Sequence, residues 1–172
     1  MLLLPLAAMN MIVVASNWLV QFPINNLLTW GAITYPFSFL VTDLTTRLHG
    51  PVSARRVVWA GCALAVLLSI WLSTPRIALA SGTAFLAGQL LDIQVFQRLR
   101  TGSWWRAPLV SSTVGSILDT ALFFSLAFAG TAMPWVTLAL GDLGVKLVIA
   151  VLALVPFRAV LALALPTAPA RT

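Results

Sequence analysis

Asp43, Asp92, Asp119 and Asp142 are the only acidic residues among the 172 of this chain. Each lies inside or at the edge of a long apolar run. An ionisable group at bilayer depth costs about 3 kcal/mol or more unless it faces protein or water, which makes each acid a candidate for function. Asp92 ends a stripe of Ala80, Ala84 and Gly88 at i, i+4 spacing, with Gln89 on the same face. Small residues on such a stripe let a second helix approach closely. Asp119 continues a stripe of Ser112 and Ser116 that runs on to Phe123, so Asp92 and Asp119 are expected to face one another. Two carboxyl groups brought together would suit proton coupling.

The other acids have basic neighbours one turn away. Asp142 precedes Lys146 by four residues, the favourable order for an ion pair on one helix. Asp43 precedes Arg47 by four and is expected to pair with it at the membrane interface, while Tyr35 and Phe39 continue its stripe. Asn10, Asn17 and Gln21 share a face of the first apolar run. Amides, carboxylates and aromatic rings turned to one interior suit a flat, neutral heterocycle. A carboxylate accepts two adjacent N–H groups, an amide complements a ring carbonyl, and aromatic faces stack for about 1–3 kcal/mol per base in nucleic-acid sites. These residues alone establish a site for some polar small molecule more firmly than they establish a purine.

The elements that position these groups follow from composition. The chain is 60% hydrophobic and 8% charged, against about 25% charged in soluble domains, and its mean hydropathy is +1.01. It reads as an all-α integral membrane protein. A spanning helix needs about 20 apolar residues, and six runs qualify, at 2–21, 31–48, 56–73, 77–98, 108–130 and 134–158. They form a single six-helix bundle with no separate domain. The first run lacks a basic leader and continues through Trp18, so it is expected to be a span rather than a signal peptide.

Arg47, Arg55, Arg56, Arg98, Arg100, Arg106, Arg158 and Arg171 fall on one side of this bundle, and Arg76 alone on the other. The positive-inside rule then places both termini in the cytoplasm, as an even number of spans requires. The net charge of +6 is thereby a matter of orientation, and no nucleic-acid partner is expected. The tryptophans fall near the ends of the runs, as interfacial indoles do. Pro36 interrupts the second run and marks either a packing kink or a bend at a binding site. Cys62 and His49 are single, so no disulfide, metal site or Cys/His nucleophile is expected.

The order of polar motifs resembles one family over nearly the whole chain. Ser16-Asn17-Trp18-Leu19-Val20-Gln21 and Thr34-Tyr35-Pro36-Phe37 through Asp43-Leu44-Thr45 are similar to the opening of the queuosine precursor transporters. Gly88-Gln89-Leu90-Leu91-Asp92, Trp104-Trp105-Arg106-Ala107-Pro108, Ser111-Ser112-Thr113 with Ser116 and Asp119-Thr120, and Asp142 with Lys146 resemble the later helices. The resemblance implies a six-helix member of the vitamin uptake transporter family. Its implied role is import of 7-cyano-7-deazaguanine or a related 7-deazaguanine through the bacterial inner membrane, to make the modified tRNA base queuosine. This chain departs from the family pattern in a short N-terminal segment and in a third connection reduced to Ser73-Thr74-Pro75-Arg76.

On this reading Asp92, Asp119, Gln89, Asn17, Asp43, Tyr35, Phe39 and Ser116 line the substrate site, and Asp142 with Lys146 form an ion pair or coupling element. Asp92 and Asp119 read the ligand or carry protons, Asn17 and Gln89 bond the ring, and Tyr35 or Phe39 stacks on it. No cofactor is expected. The expected partners are the 7-deazapurine and the lipid bilayer, with a homo-oligomer left open. The alternative is a capture subunit served by a separate ATPase, since the chain has no phosphate loop of its own. An enzyme is disfavoured by the lack of a Gly-x-Ser-x-Gly elbow or a metal-ligand cluster.

Overall fold

A computed structural model describes residues 2–22, 24 and 28–164. The described residues are helical, with eight helices and no strand: α1 (Leu3–Leu19), α2 (Trp30–Thr34), α3 (Phe37–His49), α4 (Pro51–Leu72), α5 (Pro75–Leu99), α6 (Arg106–Phe128), α7 (Trp135–Leu152) and α8 (Leu154–Ala164). Four stretches are long and apolar enough to cross a membrane: α4, α5, α6 and the nearly continuous pair α7–α8. At 1.5 Å per residue the 22 residues of α4 reach about 33 Å, the thickness of a bilayer core. The helix α1 is apolar but shorter, at 17 residues.

Two expected spans are broken, each beside a proline. Pro36 has no N–H to give the carbonyl of Ala32, so the second run divides into α2 and α3 with Tyr35 at the break. Pro156 likewise gives nothing to Leu152, and the sixth run bends at Ala153 between α7 and α8. Proline and glycine set other boundaries too. Gly50, at φ +83°, ends α3, and Pro51 opens α4 in its first turn. Thr74 accepts from the Ile77 N–H at 3.4 Å and caps α5 ahead of Pro75. Arg76 donates to the carbonyls of Leu126 and Ala129 at 2.8 and 2.6 Å, satisfying the open end of α6.

The most extensive contact joins α5 and α6; α4 lies on α5, α1 on α4, and α7 on α6. The short α3 touches α1, α4, α5, α6 and α8, while α2 lies on α1 and α7. Close approach between α5 and α6 comes from paired glycines. A methyl on Gly88 would stand 3.0 Å from the carbonyl oxygen of Gly115, and one on Gly115 would stand 2.9 Å from that of Gly88. The stripe of Ala80, Ala84, Gly88 and Asp92 is buried along this seam. Phe85, Ile93, Val57, Val58 and Met9 fill the apolar core between α1, α4 and α5. Trp18, Trp30, Trp59 and Trp71 are exposed on the outer surface.

Candidate functional site

A cavity of about 450 Å³ opens between α1, α2, α4, α5, α6 and α7. Its apolar walls include Val13, Ala84 and Phe85, and Phe123, Phe124 and Phe128 of α6. Asn17, Gln21, Thr29, Ser69, Ser73 and Ser81 add polar groups, and Asp119, Asp142 and Lys146 supply the charge. The break beside Pro36 matters here, because it brings Tyr35 to the cavity wall. The Tyr35 hydroxyl donates to Asp119 Oδ1 at 2.7 Å, and its ring edge meets Phe85 at 6.1 Å between centroids. Gly31 allows α2 to lie directly on α1, since a methyl there would come within 2.7 Å of the Ser16 carbonyl oxygen.

The charges form one cluster. Lys146 Nζ lies 2.6 Å from Asp119 Oδ2 and 2.5 Å from Asp142 Oδ2, and also donates to Thr120 Oγ1 at 2.9 Å. The Thr120 hydroxyl in turn donates a hydrogen bond to Asp142 Oδ2 at 2.8 Å. Lys146 stands 5.2 Å from the centre of the Tyr35 ring, a cation–π contact. One cation thus stands between two carboxyl groups at the cavity wall. Buried ions need such mutual satisfaction, because an unpaired charge there is strongly destabilising.

A second polar cluster lies nearer the arginine-rich end and does not line the cavity. Gln89 donates to Ser38 Oγ at 2.8 Å and accepts from Thr42 Oγ1 at 2.5 Å. Asp43 accepts from Ser111 and Ser112, each at 2.9 Å. Asp92 is wholly buried beside Asp43 and Ser111, yet neither of its oxygens has a hydrogen-bond partner.

The residues picked out by spacing therefore divide. Asp119, Asn17, Tyr35, Asp142 and Lys146 line the cavity; Asp92, Asp43, Gln89, Phe39 and Ser116 do not. Phe39 is buried with its ring edge-on to Tyr35 at 6.5 Å, and Ser116 is buried in α6. The α5 and α6 stripes do face one another, as expected, but their carboxyl groups join different clusters. Asp43 is not paired with Arg47. The arginine lies exposed and donates to the Arg100 carbonyl at 2.8 Å, at the end of α5 where carbonyls lack helical partners. Asn17 and Gln21 line the cavity, whereas Asn10 does not. Thr120, Ser38 and Thr42 complete the two clusters without having been singled out by sequence. Ser38, Thr42 and Thr46, four apart on α3, are the sequence signal that would have pointed to a polar face there.

Residues 29–74 and 68–161 match the family described as "Putative vitamin uptake transporter". The chain belongs to the vitamin uptake transporter family. It is a multi-pass membrane transporter and not an enzyme. This vitamin uptake transporter is 37% identical to the "Queuosine precursor transporter" of Escherichia coli K12, over 88% of its own length and 81% of that protein. It is also 37% identical to the "Probable queuosine precursor transporter" of Haemophilus influenzae Rd, over 84% of its length and 79% of the relative. The similarly named protein of Bacillus subtilis 168 is 27% identical over 59% of this chain and 57% of the relative. No solved structure matches the chain.

Proposed function

We propose that this transporter imports a queuosine precursor, 7-cyano-7-deazaguanine or a related 7-deazaguanine, through the bacterial inner membrane. We further propose that it does so as a six-span protein, with α1 and the α2–α3 pair completing the count and both termini in the cytoplasm. Support comes from the names of its relatives and from the positive charge gathered at one end of the helices.

The observation that carries the reading is the cavity itself. Its 450 Å³ lies within the range of about 300–1,000 Å³ typical of small-molecule sites, and it joins aromatic walls to a buried carboxylate. In this reading Asp119 accepts the paired N–H groups of a guanine-like edge, taking them in place of the Tyr35 hydroxyl. Asn17 bonds the ring carbonyl from α1, and Tyr35, Phe85 and Phe123 enclose the faces of the base. Asp142 and Thr120 hold Lys146 in place while Asp119 exchanges partners.

Uptake by cells that cannot make the base tests the assignment. The chain alone is expected to restore queuosine from supplied precursor in a foreign host, and Asp119→Ala is expected to lower uptake by about tenfold or more at equal expression. A hydrogen bond to a charged group is worth about 1.5–3 kcal/mol, and 1.4 kcal/mol is a factor of ten. Wild-type uptake by Asp119→Ala would remove the assignment, and dependence on an added ATPase would make the chain a capture subunit instead.

A further inference from the structure

The cavity accounts for two of the four acids. Asp43 and Asp92 are buried on the arginine-rich side of it, 2% and 0% exposed, and no cation answers them. Among the described residues the salt bridges are those of Lys146, which are made to Asp119 and Asp142. Every element around the acid pair tells the same story. On α3, Arg47 is exposed and bonded to the Arg100 carbonyl, and His49 is exposed at the helix end. Arg55 and Arg56 of α4, Arg98 of α5 and Arg106 of α6 are exposed. Arg158 of α8 stacks on Trp104 at 5.2 Å.

The two carboxyl groups differ in their partners. Asp43 has a serine hydroxyl on each oxygen, Ser111 on one and Ser112 on the other, so both of its oxygens already accept a hydrogen bond. Asp92, whose Cβ lies against Gly115, has neither oxygen bonded. A carboxyl without donors, facing a carboxylate that has two, is completed by one proton, for a protonated acid becomes an O–H donor. A hard metal cation would take about six oxygens, and no cluster of three metal-ligating side chains occurs among the described residues.

We propose that Asp43 and Asp92 form a proton-binding site, separate from the substrate cavity, in which Asp92 carries the proton and donates it to Asp43, and that loading and release of this proton couple to transport. The coupling half rests on the transport reading above; the proton site does not. Its position suits the role. It packs at the α3–α5–α6 seam between the cavity and the arginine-rich end, where a change in charge would alter how tightly that end is held.

Two measurements on the full chain test it. Infrared spectroscopy of the purified protein in lipid at neutral pH is expected to show a carboxylic-acid carbonyl band that is lost in Asp92→Asn. Asp43→Asn is expected to perturb the same band, and it serves as the second variant if Asp92→Asn does not fold. Absence of the band in wild type, or its survival unchanged in both variants, overturns the proton site, whatever the substrate. In proteoliposomes, an inward proton gradient is expected to raise accumulation of 7-cyano-7-deazaguanine several-fold in wild type and not in Asp92→Asn. Accumulation indifferent to pH, or driven by a sodium gradient, overturns the coupling. A protonated-acid band in a protein that transports none of the 7-deazaguanines upholds the proton site and sinks the substrate assignment.

Discussion

The Tyr35 hydroxyl donates to Asp119 across 84 residues of chain. Tyr35 occupies the position before a proline, where the backbone is steered away from continuing a regular helix. Tyr35→Phe keeps the ring against Phe85 and removes only the hydroxyl, leaving Asp119 Oδ1 short of a donor. A buried acceptor so orphaned costs about 1–3 kcal/mol, so the variant is expected to melt at lower temperature in detergent. Added substrate is expected to narrow the difference if the ligand's N–H groups replace the hydroxyl. An unchanged melting curve would mean that water takes the vacant place. Spacing revealed the Asp142–Lys146 pair because four residues is one helical turn. It could not reveal that Asp119 and Thr120 complete the cluster, since those contacts cross from α6 to α7. Spacing misled at Asp43 and Arg47. Two serines from α6 satisfy the acid, and open carbonyls at the end of α5 draw the arginine away.

At the scale of helices, the seam between α5 and α6 sets where Asp92 and Asp119 stand. In a bilayer no hydrophobic effect drives helices together, so close packing of small residues must do so. A Cβ on Gly88 would lie 2.9 Å from that of Asp119 and 3.0 Å from the Gly115 carbonyl. Neither neighbour is the free end of a flexible side chain, so the helices must separate. Gly88→Ala is expected to destabilise the protein by about 1–3 kcal/mol, the usual cost of overpacking, and to lower uptake by displacing Asp119. Gly141→Ala and Gly144→Ala on α7 are the controls. Nothing lies within 4 Å of a methyl at either position, so they are expected to be neutral or to stabilise by up to about 1 kcal/mol through helix propensity. Thermal unfolding of the three variants checks the ordering. The small-residue stripe was legible because its four-residue period is a helical face, and the break at Pro36 was legible from the missing N–H. The bend near Pro156 was not anticipated, because the apolar run continues unbroken through it.

Over the whole molecule, the cavity and the buried acid pair lie toward opposite ends. Val20 at the end of α1, Leu72 and Ser73 at the end of α4, Ile77 at the start of α5 and Phe128 at the end of α6 all line the cavity. These termini lie away from the arginine-rich end, where Phe96, Ala107, Phe157 and Leu161 pack into a closed core. Charge along the sequence suggested which end faces the cytoplasm, but not which end is open, because closure depends on how apolar faces meet between distant helices. On the orientation proposed above, with the basic end inside, the cavity faces outward and the structure corresponds to the state that would receive substrate from outside. Cysteine labelling in intact cells checks this. Cys62 is buried, with its thiol toward the Gly82 carbonyl, and Cys62→Ser supplies a background free of thiols. There Ser73→Cys is expected to react with an impermeant maleimide added outside. The precursor base at ten times its Kd should slow that reaction about tenfold, by mass action on the free protein. Thr101→Cys, exposed between α5 and α6, is expected to react only once the membranes are opened. Labelling of Thr101→Cys in intact cells would reverse the orientation, and labelling of Ser73→Cys indifferent to the base would place the substrate elsewhere in the protein.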